Sequence, residues 1–94
     1  MMELSFKNRV YQIEPKFELI SEIEDELGSA PELLNRLLGD KWKVSELVTV
    51  VHILLHYAGR NIDYIDLGNQ IIAEGIDKYL LSVKEFLRFV VSSK

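Results

Sequence analysis

The sequence predicts an α+β domain that is mainly α. An N-terminal β-hairpin over residues 3–14 packs on about five helices, at about 15–27, 30–38, 45–58, 63–74 and 76–92. Three observations carry this. Apolar residues alternate with period two up to residue 14 and then recur with a period near 3.6. The stretch from Glu46 to Ala58 is apolar nearly all round, as a helix at the centre of a domain must be. Finally, 94 residues that are 48% hydrophobic suffice for one core, since domains typically run ~100–150 residues.

In the hairpin, Leu4 and Phe6 point one way and Ser5 and Lys7 the other; Val10 to Ile13 repeat the pattern. A two-residue Asn8-Arg9 turn sets Phe6 opposite Tyr11 and Leu4 opposite Ile13, with Val10 and Gln12 on the outer face. Asn suits the positive φ of such a turn and Arg does not, so a longer loop is the alternative. An isolated hairpin is marginal, so this one must lie on helices.

Pro15 suits the first position of a helix and Gly28 its C-terminal end, with Phe17, Leu19, Ile20, Ile23 and Leu27 as its buried face. Ser29-Ala30-Pro31-Glu32 has capping-box spacing and opens a short helix through Leu33, Leu34, Leu37 and Leu38. Ser45 is placed to cap the central helix, which Gly59 ends. Asn61 or Asp63 caps a fourth helix through Ile65, Ile71 and Ile72 to Gly75. In the last helix Ile76, Tyr79, Leu80, Val83, Phe86, Leu87 and Val90 form one stripe.

Composition removes several classes of function. So much apolar surface excludes intrinsic disorder, and the lack of cysteine excludes disulfides, thiolate nucleophiles and zinc–thiolate sites. A net charge of −4 argues against a nucleic-acid partner. The start lacks a basic region leading into an apolar stretch, and the longest apolar run is far short of the ~20 residues that span a membrane. The expectation is a cytoplasmic protein with no membrane partner.

Chemical motifs are scarce. His52 and His56, four apart, share a helix face but supply half of a tetrahedral metal site, and no Glu follows His52 to make HExxH. The plainer reading is two histidines bordering the core and bonded to backbone or water. Gly-x-Ser-x-Gly and a phosphate-binding loop are both absent, so no catalytic residue, cofactor site or metal site is assigned. Glu18, Glu22 and Glu26 form a like-charge row, and residues 14–40 hold eight acids against two bases, a charge of −6. Such a row is either a solvated face or a patch for a basic partner. Trp42, in a lysine-flanked connection, is either a binding anchor or a plug between helices. Phe89 falls off the main stripe of the last helix. The candidate partner-binding set is therefore Trp42, Glu18, Glu22, Glu26 and Phe89.

With these elements in order, the chain resembles the small tail-assembly chaperones of tailed phages, of the gene-transfer-agent type. The resemblance runs through Leu4-Ser5-Phe6 and Val10-Tyr11-Gln12-Ile13, then Glu22-Ile23-Glu24-Asp25-Glu26-Leu27-Gly28. It continues through Ser29-Ala30-Pro31-Glu32-Leu33-Leu34, Lys43-Val44-Ser45-Glu46-Leu47, Ala58-Gly59, Ile62-Asp63 and Gly75 to the apolar C-terminal helix. It spans essentially the whole chain and contains no catalytic signature. One departure is the hairpin turn, where the family tends to have glycine and this chain has Lys7-Asn8-Arg9.

The resemblance implies a non-enzymatic phage or prophage protein of tail morphogenesis. Such chaperones bind the long, helical, aggregation-prone tape-measure protein, with the tail-tube protein as a further contact, and are usually absent from the finished particle. Members have also been labelled tail-tube proteins, which makes a retained tube or tail-completion component the alternative. A tube wall needs long strands, and only residues 3–14 supply any.

Overall fold

The computed structural model describes residues 2–92. Strands β1 (Met2–Phe6) and β2 (Arg9–Ile13) pair antiparallel, with Met2 opposite Ile13, Leu4 opposite Tyr11 and Phe6 opposite Arg9. The turn is therefore Lys7-Asn8, with φ of 50° and 65°, and not the expected Asn8-Arg9. Two positive φ values are what a two-residue turn matched to strand twist requires, and this position gives one of them to Asn, which tolerates the left-handed region. Glu3 and Gln12, directly opposite, fix the register through a 3.0 Å bond from Gln12 Nε2 to Glu3 Oε2. The shift relative to expectation moves pairs by two, so every side chain keeps its face. Leu4, Phe6 and Ile13 are buried, Tyr11 is half-buried and Val10 is exposed.

Helix α1 (Phe17–Leu27) begins two residues later than the sequence suggests. Lys16 is extended (φ −84°, ψ 152°), so Pro15 belongs to the lead-in. That leaves Phe17 in the first turn and 78% exposed, against the expectation that it is core; Leu19 and Ile23 carry the buried face. Gly28 (φ 90°) ends the helix, its N–H on the Glu24 carbonyl. Helix α2 (Ala30–Leu38) is capped as expected by Ser29, whose Oγ accepts from the Glu32 N–H at 3.3 Å. It buries Leu33, Leu34 and Leu37 and leaves Leu38 exposed.

Helix α3 (Val44–Tyr57) lies at the centre and packs on α1, β2 and the two helices that follow. Leu47, Val48, Val50, Val51, Ile53, Leu54 and Leu55 are all buried. Its cap is not Ser45. The chain is already helical at Val44, and Glu46 Oε1 reaches back to accept the Lys43 N–H at 3.0 Å. Arg36 locks this junction from α2: its Nη2 donates to the Leu27 carbonyl (3.0 Å) and to Glu46 Oε2 (2.8 Å). The Lys43 N–H bond, and after it the Arg36 guanidinium, hold the Glu46 carboxyl below its ordinary range against a partial desolvation that opposes them.

Helix α4 (Tyr64–Glu74) is capped by Asp63, whose Oδ2 accepts from the N–H groups of Ile65 and Asp66 at 3.1 Å each. It buries Leu67 and Ile71. Ile65 and Ile72 are 65% and 61% exposed, because the face turned inward is the Leu67–Ile71 stripe. Helix α5 (Ile76–Ser92) packs on α2, α3 and α4 and buries Tyr79, Val83, Phe86 and Leu87. Phe6 meets Tyr79 edge-on, ring centroids 6.5 Å apart, which seats the hairpin on α5. One hydrophobic cluster runs through every element, and the radius of gyration of 12.2 Å matches the ~12 Å of a single compact unit this long.

Candidate functional site

The acid-rich helix α1 divides its carboxylates between structure and surface. Glu24 turns toward α2, where its Oε2 accepts the Ala30 N–H at 2.7 Å. Glu18, Glu22 and Glu26 stay on the outer face, all exposed. The Glu22 carboxylate accepts from the Tyr57 hydroxyl at 3.0 Å, and that bond holds the phenol above its ordinary pKa. Glu22 and Glu26 also border a hollow of about 410 Å³ with Thr49, His52, Ile53 and Tyr64.

Both histidines are tied to the α3–α4 connection. His52 Nε2 donates to the Ile62 carbonyl at 2.9 Å, and His56 Nδ1 to Asn61 Oδ1 at 2.6 Å. Asp63, in the connection that follows them, is occupied in capping α4. Among the described residues no group of three His, Cys, Asp or Glu lies close enough to hold a metal ion, and no helix is long and apolar enough to cross a membrane.

Neither of the other two candidates lines the hollow beside Glu22 and Glu26. Trp42 is half-buried in the α2–α3 connection and packs against the core with part of its ring still exposed. Phe89, 53% exposed, lines a hollow of about 550 Å³ with Met2, Glu3, Pro15, Glu85 and Phe86. That hollow shares no residue with the one beside Glu22 and Glu26. The structure therefore groups Glu22 with Glu26 and gives Phe89 a separate hollow.

A feature that sequence reasoning missed adjoins the acidic row. Between α3 and α4 runs an uncharged groove of about 250 Å³, lined by Val44, Val48, Tyr64, Ile65, Gly68 and Ile72 with Ser45 and Asn69 at its edges. Tyr64 lines both this groove and the acidic hollow. Its ring meets His52 edge-on at 5.9 Å, and its hydroxyl donates to the Ser45 carbonyl at 3.2 Å, with Thr49 Oγ1 at 3.4 Å. The sequence held a signal for this: Ile65, Gly68 and Ile72 recur at i, i+3 and i+7, a second stripe beside Leu67 and Ile71.

These side chains offer apolar walls and exposed carboxylates. A family model described as phage tail tube protein, GTA-gp10, matches residues 1–92 of the chain. Comparison with curated proteins and with solved structures found no match.

Proposed function

The chain belongs to the GTA-gp10 phage tail tube protein family, and from that membership we propose a non-enzymatic tail-assembly chaperone. It binds the tape-measure protein during tail morphogenesis, in the cytoplasm of the host, and hands it to the polymerising tail-tube protein. The observation that carries the reading is the family match along residues 1–92 of a chain whose described residues hold, besides helices, a two-stranded hairpin. A holdase for amphipathic helices needs apolar surface to receive them and charge to select among them. Surfaces of both kinds lie side by side on α1, α3 and α4.

The family's description favours a second reading, a tail-tube or tail-completion component retained in the particle. Against it stands the strand content. Two strands of five residues give two short edges, and a tube wall is built by pairing or stacking long ones. Mass spectrometry of purified tailed particles separates the readings. A chaperone is missing from them or present far below the tube subunit; a stoichiometric amount of this chain makes it a structural component.

A further inference from the structure

Gly68 stands in the middle of α4, where glycine costs a helix about 1 kcal/mol relative to alanine. Nothing in the fold requires it there. A Cβ at this position would lie 3.8 Å from Val48 Cγ1, an ordinary contact. What the missing side chain does is leave a groove open. Val48, only 4% exposed, and Gly68 form its floor; Val44 stands on one side, and Ile65 and Ile72 stand three residues before and four after Gly68. Large aliphatic walls on either side of a small residue are what ridges-into-grooves packing uses to bring a helix in close.

The occupant follows from area and charge. The exposed parts of Val44, Tyr64, Ile65 and Ile72 amount to on the order of 400 Å², within the range of functional patches but half the ~800 Å² per partner of a stable complex. That suits one short helix better than a second copy of this chain. The groove itself has no charged wall, yet past Tyr64 it opens onto Glu22 and Glu26. A second copy would bring the same uncharged patch and the same acidic row, like charge against like, whereas a basic helix brings opposite charge to Glu22 and Glu26. We infer that the α3–α4 groove is the docking site of a basic amphipathic helix. Its aliphatic side chains, spaced i, i+3 or i+4, i+7, seat on Val44, Val48, Ile65 and Ile72, and its Lys or Arg residues meet Glu22 and Glu26. Only the assignment of that helix to the tape-measure client rests on the function proposed above.

The test is an NMR titration of the ¹⁵N-labelled protein with a leucine–lysine amphipathic peptide of about 18 residues, long enough to be helical. Shifts should concentrate in residues 44–49 and 64–72 and at Glu22 and Glu26, and a scrambled peptide of the same composition should produce none. Gly68→Leu fills the groove and should weaken binding tenfold or more. Ile65→Ser with Ile72→Ser, both at exposed positions, should do the same should the leucine variant fail to fold. Glu22→Gln with Glu26→Gln should weaken binding several-fold at low salt and little at high salt. Shifts elsewhere, equal binding of the scrambled peptide, or indifference to the groove variants overturns the site. Self-association of the free protein that the same variants abolish makes the occupant a second copy, and also overturns it. Co-purification with the tape-measure protein that survives the groove variants removes this site and leaves the proposed function standing. Peptide binding that obeys the variants while the tape-measure protein is ignored keeps the site and removes the client.

Discussion

Changing Glu46 to Gln isolates the ionic part of the clip between the ends of α1, α2 and α3. One amide oxygen still accepts the Lys43 N–H, while the charge facing Arg36 disappears. A hydrogen bond to a charged group contributes about 1.5–3 kcal/mol when buried, and an exposed ion pair ~0.2–1. The side chains of Arg36 and Glu46 are 32% and 19% exposed, so the expected loss lies between those limits, at about 1–1.5 kcal/mol. For a domain of this size that lowers the melting temperature by roughly 5–10 °C. The pH dependence tests the cause. The folded-state pKa of Glu46 is depressed, so its contribution is complete above the ordinary carboxyl value of 4.5 and is lost as pH falls through the lower folded value. Urea unfolding of both proteins from pH 7 to pH 3 should show a gap that is widest at neutral pH and closes in acid. No gap at pH 7, or a gap unchanged at pH 3, refutes an ionic role for the clip.

Three further expectations follow from the fold. The buried Tyr79 hydroxyl makes no close hydrogen bond, although burial and then the nearby Glu74 carboxylate hold it un-ionised, so Tyr79→Phe should leave the free energy of urea unfolding unchanged or raise it by up to ~1 kcal/mol; a loss of that size means the hydroxyl bonds to Glu74. Trp42→Ala should cost about 2 kcal/mol in thermal unfolding, since the ring is half-buried on the core, and an unchanged melting temperature would refute a plugging role. Asn8→Gly relieves a left-handed non-glycine residue at the turn and should stabilise the protein by about 0.5–1 kcal/mol in the same assay.

Local chemistry could be read from the sequence wherever it decides the outcome. The Ser29 and Asp63 caps, the Gly28 stop and the stripe of α5 depend on neighbours three or four residues away, and they lie where the pattern puts them. The all-round apolarity of α3 announced its central position. What failed was choice between locally equivalent options. Helix α4 carries two apolar stripes, Leu67 with Ile71 and Ile65 with Ile72, and only packing on α3 and α5 determines which turns inward. The same holds for the hairpin, where two turn positions keep every residue on its face and the Glu3–Gln12 pair selects one. Of the candidate site, the carboxylate row was visible from its spacing. The groove beside it was not, because its walls come from two helices and its opening from a missing side chain at Gly68.

Co-expression of this chain with its proposed client, a tape-measure protein, puts the chaperone reading to its most direct measurement. The quantity is the fraction of tape-measure protein in the soluble lysate, with and without this chain. The reading predicts that the tape-measure protein is insoluble alone, becomes soluble with the chain present, and co-purifies with it. A tape-measure protein that stays in the pellet beside abundant folded chain, or that is equally soluble without it, contradicts the proposed function.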